Sequence, residues 1–311
     1  HTLPNAPTEL EELQLDSEVV LKVIELQHGL LAERVRGIFS FSDLAFQEYF
    51  TARKIVASHN LQALEQALER LVAHITEPRW REIFLLTAAM LRSADSLVQL
   101  MKQQIDALVA QDPYLQEFLT WASQKSLTVP SQPKLAATRA FYLALARTPH
   151  LTPHFALVCT LDQGLFLDAA LDKLLLESSA DLAYAHTCAD ALSNALSIVL
   201  DVGLQQSLQH LQDQLPSSKQ DTKRFEKWWQ TNHLAWTEQL RTAIAQHRNI
   251  QHHWHFSLEQ QQVLQRYYDA NQLLIDCLNS NCEVTVAVRQ DIEAAFLLPQ
   301  KELEEREWQE S

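Results

Sequence analysis

Glycine is nearly absent from this sequence, occurring 4 times in 311 residues. Tight hairpin turns and phosphate-binding loops both depend on glycine, so its scarcity argues against a many-stranded sheet and a Gly-rich phosphate loop. Leu and Ala dominate, and β-branched residues are sparse, which favours helix. With 47% hydrophobic residues, the chain can bury a substantial core. We therefore predict an all-α fold, a multi-helix solenoid or bundle.

The charge balance limits the kinds of partner that the protein can bind, and the cysteine count indicates its cellular compartment. The formal net charge is −14. An acidic surface repels a phosphate backbone, so nucleic-acid binding is not expected. Four cysteines are too few for a disulfide scaffold of this length, and no apolar run is long enough to cross a membrane. We expect a cytoplasmic protein with reduced thiols and no membrane contact. Because the sequence starts at His1, we expect it to be a piece of a longer protein.

Breaks in the helical pattern predict four regions, at 1–60, 61–130, 131–215 and 216–311. The third region is a run of short Leu- and Ala-rich helices with repeat-like spacing. Acidic residues interrupt these helices, among them Asp168, Asp181 and Asp201. A polar stretch precedes the last region.

The first region contains the one β-structure that we predict. Two short apolar stretches surround Arg36 and Gly37, which indicates a hairpin within residues 30–41. The helix before it ends at Gly29, and the helix after it is opened by Ser42 or Asp43. The order helix, hairpin, helix predicts the remnant of a winged helix.

The last region is predicted to be a compact helical module. A long helix covers residues 224–248. A second helix begins at Ser257, and Gln260 three positions later completes a capping box. A third ends at Pro299, and the charged tail after it is expected to be a frayed end.

Two segments resemble bacterial NACHT-type signalling NTPases of the STAND class. "GIFSFSDLAFQEYFTARKIV" is similar to the end of their winged-helix part. "FEKWWQTNHLAW", "RNIQHHW" and "LQRYYDANQLLIDCLNSNCEV" resemble the C-terminal helical module of some members. The resemblance implies an upstream NACHT domain that holds ADP at rest and exchanges it for ATP with Mg. It also implies a C-terminal region that senses a trigger, expected to be a protein, and oligomerisation in the active state. Many bacterial members are thought to act in antiphage defence.

The sequence departs from the resemblance at one position and lacks the nucleotide site altogether. No G-x-x-x-x-G-K-[ST] motif occurs, so we expect no cofactor in this chain and no ATPase activity of its own. Relatives commonly carry a phosphate-contacting His just before "LxFQEY", whereas this sequence has Asp43. A carboxylate there would repel phosphate, and Asp43 is more simply a helix N-cap.

A catalytic alternative lies in the stretch "RNIQHHWHF". Arg248, Asn249 and His253 fit the R-N-x-x-x-H pattern of HEPN-type ribonucleases. In that chemistry His is the general acid and base, and Arg stabilises the developing phosphorane charge. The competing interpretation is structural: Asn249 reverses the chain, and the aromatic residues of this stretch pack into the module.

A metal site is the second alternative. Cys277 and Cys282 have the spacing of a structural zinc pair, and nearby histidines would complete a ligand set. If residues 257–279 form one helix, the histidines lie at its start and the cysteines at its end, about 30 Å or more apart at 1.5 Å per residue. One chain cannot close that site, so buried structural cysteines are favoured.

We therefore predict the regulatory or sensor region of a NACHT-type NTPase, which recognises a trigger or maintains autoinhibition. A HEPN-like ribonuclease module and a plain helical protein-interaction scaffold remain the alternatives. The tryptophans between 228 and 236, beside basic residues 223–227, are expected to be core rather than a nucleic-acid platform.

Overall fold

The computed structural model describes residues 10–58, 60–128, 135–147, 165, 167–168, 171, 180–199, 201–216, 221–250 and 254–310. These residues form an all-α fold with one small hairpin, as predicted. The elements, in chain order, are α1 Leu10–His28, β1 Leu31–Val35, β2 Ile38–Phe41, α2 Leu44–Val56, α3 Leu61–Val72, a 3₁₀ turn Pro78–Trp80, α4 Arg81–Met90, α5 Asp95–Ala110, α6 Pro113–Leu127, α7 Leu135–Arg147, α8 Leu182–Ile198, α9 Val202–Gln214, α10 Thr222–Arg248, α11 Leu258–Asn279, α12 Val286–Ala295 and α13 Gln300–Glu310.

The described residues belong to two compact units. One lies within His1–Leu108 and Gln265–Gln290, and the other within Val109–Leu264 and Asp291–Ser311. The four-region division made from the sequence stays a prediction. Among the described residues, no helix combines the length and the apolar character needed to cross a bilayer.

The predicted hairpin is confirmed. Strands β1 and β2 pair antiparallel, with Leu31 opposite Phe41 and an irregularity between Glu33 and Val35. Gly37 has a φ of +76°, which a turn of this kind requires and which most residues avoid. Glu25 of α1 accepts a hydrogen bond from the Glu33 backbone N at 2.8 Å, which fixes α1 to the hairpin.

The core of the first unit is built around α3 and α4. The apolar stripe of α3 places Leu68, Leu71 and Val72 in the interior, and Phe84 of α4 is fully buried. Helices α2 and α4 pack against each other. Asn60 caps α3 through a 2.7 Å hydrogen bond from Ala63 N, so local chemistry defines the start of this helix.

The core of the second unit is organised by α10. Phe225, Trp229, Trp236, Leu240 and Ile244 lie on one stripe of this helix and are almost fully buried. They pack with apolar residues of α8 and α9. Trp229 and Trp236 are core residues, as expected, whereas Trp228 is half-buried and packs against the same core.

The prediction of a frayed tail was wrong. Residues Gln300–Glu310 form helix α13. Its first turn is fixed by two side chains of α6: Gln116 Oε1 accepts from Gln300 N at 2.7 Å, and Ser123 Oγ donates to Glu302 at 2.9 Å. Contacts with a distant helix, rather than local pattern, order this highly charged segment.

Candidate functional site

Helix α10 ends in a left-handed C-cap. Arg248 is the last helical residue, and Asn249 adopts the left-handed conformation, with φ 49° and ψ 37°. Its backbone N donates to Ala245 O at 3.0 Å. Its carbonyl accepts from Trp121 Nε1 of α6 at 2.9 Å. Asn tolerates this conformation better than most residues do, so the predicted role of Asn249 in reversing the chain is confirmed.

Arg248 belongs to a buried charge cluster of four residues: Lys125, Tyr142, Asp168 and Arg248. The Arg248 Nε donates to Asp168 Oδ1 at 2.6 Å. The Tyr142 hydroxyl donates to Asp168 Oδ2 at 2.6 Å, and Lys125 Nζ lies 3.3 Å from the same oxygen. Lys125 also donates to the Arg248 carbonyl. One carboxylate therefore compensates two cations that arrive from different helices.

The burial of this cluster makes its charges strongly interdependent. The side chain of Asp168 is 0% exposed, that of Lys125 2% and that of Arg248 18%. Burial lowers the pKa of Lys125 below its usual value, and the attraction of Asp168 only partly opposes this effect. Burial also acts to lower the pKa of Arg248, but the hydrogen bond and the charge of Asp168 outweigh it, and the pKa is raised. Removing Asp168 would take away the carboxylate that contacts both buried cations.

The cluster bears directly on the ribonuclease alternative. The Arg248 guanidinium, which that chemistry would aim at a phosphate, is bound to Asp168. Asn249 forms the helix cap described above. His253 lies outside the described residues, so the ribonuclease interpretation of Arg248, Asn249 and His253 stays a prediction.

The aromatic residues beside the chain reversal pack as the structural interpretation expected. Trp254 and Phe256 are half-buried and stack on each other, with ring centroids 6.2 Å apart. Both meet Phe118 of α6 edge-on, at 5.1 and 5.2 Å. The Tyr114 hydroxyl accepts from the His255 backbone N at 3.1 Å. This aromatic group joins the segment before α11 to α6.

The start of α11 shows the predicted capping box. Ser257 N donates to Gln260 Oε1 at 3.1 Å, and Gln260 N donates to Ser257 Oγ at 3.2 Å. Gln260 has a second role that the sequence did not indicate: its amide donates to the Asp112 carboxylate at 2.9 Å. Asp112 itself caps α6 by accepting from Tyr114 N and Leu115 N.

The two cysteines of the metal alternative are close in the chain, but only Cys282 is partly exposed. Cys277 is fully buried, and burial raises the pKa of its thiol to about 12. Cys282 is half-buried, and its Sγ lies 2.9 Å from the Cys277 carbonyl oxygen. Across the part of the chain that the structure describes, no group of three or more His, Cys, Asp or Glu side chains is placed to hold a metal. The zinc interpretation of Cys277 and Cys282 stays a prediction, because residues 251–253 are not described.

Asp43 has the capping role that its sequence position suggested. Its carboxylate accepts from Ala45 N at 2.8 Å at the start of α2. Asp181 and Asp201 cap α8 and α9 in the same way. Asp168 does not follow this pattern. The sequence pattern predicts that Asp168 is an acidic break between helices. In the structure its side chain is fully buried and pairs with Lys125 and Arg248.

The comparison with known families matches one part of the chain. Residues 204–299 match the family described as NACHT C-terminal Helical domain 2. No curated protein and no solved structure matches the chain.

Proposed function

We propose that this chain is the regulatory region of a NACHT-type NTPase, because residues 204–299 match the family of NACHT C-terminal helical modules. In this proposal the region recognises a trigger, or holds an upstream NACHT domain at rest until the trigger arrives.

The observation that carries the proposal is a set of exposed apolar side chains on α1 and at the turn of the hairpin. Val19, Val23 and Leu26 are spaced at i, i+4 and i+7 on α1 and are exposed. Val35 and Ile38, at the turn of the hairpin, are exposed by 63% and 60%. We call these five residues the α1–hairpin face. Exposed apolar side chains grouped on one side of a helix, as the three of α1 are, favour an interaction site.

The upstream NACHT domain is the partner that the family match suggests for this face. In the proposal that domain binds ADP at rest and ATP with Mg when active. When the NACHT domain is released from the α1–hairpin face, the protein oligomerises. Asp43, engaged in capping α2, takes no part in phosphate binding. A cytoplasmic location and a role in antiphage defence extend the same proposal.

The test uses the full-length protein, including its NACHT domain. The double variant Val23→Asp, Ile38→Asp places two carboxylates in the α1–hairpin face without disturbing a buried side chain. Leu234→Asp is the matched control, since Leu234 is 65% exposed on α10. We expect faster ADP release and higher basal ATP turnover in the double variant, with the control like wild type. Wild-type rates in the double variant would contradict the proposal.

A further inference from the structure

The first unit contains an open apolar groove of about 600 Å³ between α2 and α3. Its apolar lining comes from Phe41 of β2, Phe50 and Ile55 of α2, Leu71 of α3, and Trp80. Phe50 is 40% exposed, although it is stacked on Phe41 with centroids 5.8 Å apart. A groove of this volume and lining is in the range of protein ligand sites.

Two cations border the groove, one on each helix. Lys54 lies on α2 and Arg70 on α3, and both are exposed lining residues. Within the described ranges, neither side chain has a hydrogen bond or an ion pair, and no acidic residue lines the groove. In a chain with 39 acidic and 25 basic residues, two unpaired cations on one apolar site are a local reversal of charge.

The third basic side chain of the groove is already engaged. His74 Nδ1 lies 2.7 Å from Glu77 Oε1, and its ring stacks on Trp80 with centroids 4.0 Å apart. This pair forms part of the groove wall, so the charge available to a ligand comes from Lys54 and Arg70.

We propose that this groove binds an acidic amphipathic helix of a protein partner. The lining follows α2 from Gln47 to Ile55, about 12 Å or two helical turns. A helix lying there would place apolar side chains at i, i+3, i+4 and i+7 against Phe50 and Trp80. Carboxylates beside that stripe would reach Lys54 and Arg70 on the two walls. The openness of the groove favours a helix over a small molecule, which a site normally encloses almost completely.

Charge complementarity gives this proposal its selectivity. With apolar contacts alone, the groove would bind any amphipathic helix. The two cations favour a helix with carboxylates and repel a basic helix. The selectivity should weaken as salt is added, because both cations are exposed.

The experiment measures the binding of two labelled peptides to the whole chain by fluorescence anisotropy. Both peptides are helical, about 18 residues or five turns long, and share one leucine stripe. One carries Glu beside the stripe and the other carries Lys at the same positions. We expect wild type to bind the acidic peptide at least about tenfold more tightly than the basic one. The double variant Lys54→Glu, Arg70→Glu should reverse that preference.

Two further variants separate the groove from general effects of charge and folding. Lys223→Glu, Arg224→Glu makes the same charge change at exposed positions of α10 and should keep the wild-type preference. Phe50→Ala should weaken the binding of both peptides, and the acidic peptide should still bind more tightly than the basic one. Equal binding of the two peptides by wild type, or an unchanged preference in the Lys54, Arg70 variant, would overturn the proposal.

A small apolar acid is the competing ligand, and the same assay distinguishes it. Laurate binding that depends on Lys54 and Arg70, without binding of the acidic peptide, would overturn the helix proposal. The proposal goes beyond the regulatory function above and uses none of the five residues of the α1–hairpin face. Peptide binding and basal ATP turnover are therefore measured separately, and either proposal can fail alone.

Discussion

Replacing Asp168 by Asn tests whether the buried charge cluster stabilises the second unit. The substitution keeps the size of the side chain and removes the carboxylate charge that lies against Lys125 and Arg248, which are 2% and 18% exposed. Removing one partner of a buried ion pair costs about 3–5 kcal/mol. We expect the lower end, about 3 kcal/mol, because the amide oxygen still accepts one hydrogen bond from the cluster.

Thermal unfolding followed by circular dichroism measures this effect. At roughly 2–4 °C per kcal/mol for a domain of this size, the Tm of Asp168→Asn should fall by roughly 6–12 °C. Tyr142→Phe removes one hydrogen bond to the same carboxylate and should cost about 1.5–3 kcal/mol. Asp190→Asn, at an exposed position of α8, is the control and should change stability by less than about 0.5 kcal/mol. A Tm for Asp168→Asn equal to that of the control would refute the reasoning.

The same cluster predicts a pH dependence. The pKa of Lys125 is lower in the folded protein than its usual 10.5, because the side chain is buried. Between the folded pKa and 10.5 the unfolded chain binds more protons, so the contribution of Lys125 to stability rises as the pH rises through that window. In Lys125→Met this rise should be absent. The test is to measure the free energy of unfolding of wild type and Lys125→Met across this pH window. The same slope of free energy against pH in both proteins would contradict the prediction.

Three local predictions follow from capping, backbone conformation and burial. Asp112→Ala should lower stability by about 1 kcal/mol, because it removes the cap of α6, whereas Asp112→Asn should retain most of it; thermal unfolding compares the two. Asn249→Gly should be tolerated and Asn249→Val should cost about 1–2 kcal/mol, since φ is 49° there; the same Tm measurement decides. A thiol reagent at about pH 8, with peptide mapping, should label Cys282 before Cys188 and Cys277, because burial raises the pKa of the latter two thiols to about 11 and about 12.

The features predicted correctly from the sequence are those that depend on neighbours along the chain. The capping box of Ser257 and Gln260, the cap of Asp43 and the turn at Gly37 each involve residues within a few positions. The buried stripe of α10 follows from helical periodicity alone. For such features the local chemistry and the final fold agree.

The features that the sequence did not reveal depend on long-range contacts. Asp168 and Arg248 are 80 positions apart, and an acidic residue between helices looks the same whether it caps a helix or is buried. Helix α13 is ordered by Gln116 and Ser123, about 180 positions earlier. The cations of the groove, Lys54 and Arg70, lie on two helices whose packing no local pattern describes.

The cost of releasing Arg248 decides how the R-N-x-x-x-H stretch is best interpreted. To stabilise a phosphorane, the guanidinium would have to leave Asp168, which is fully buried. Breaking such a pair costs about 3–5 kcal/mol. A well-placed electrostatic donor contributes about 2.7–4 kcal/mol to a transition state, so the cost would cancel the benefit. We therefore expect His253→Ala to leave any background RNA cleavage unchanged. Loss of cleavage in that variant, with an unchanged Tm, would show that Arg248 has another arrangement in the active protein.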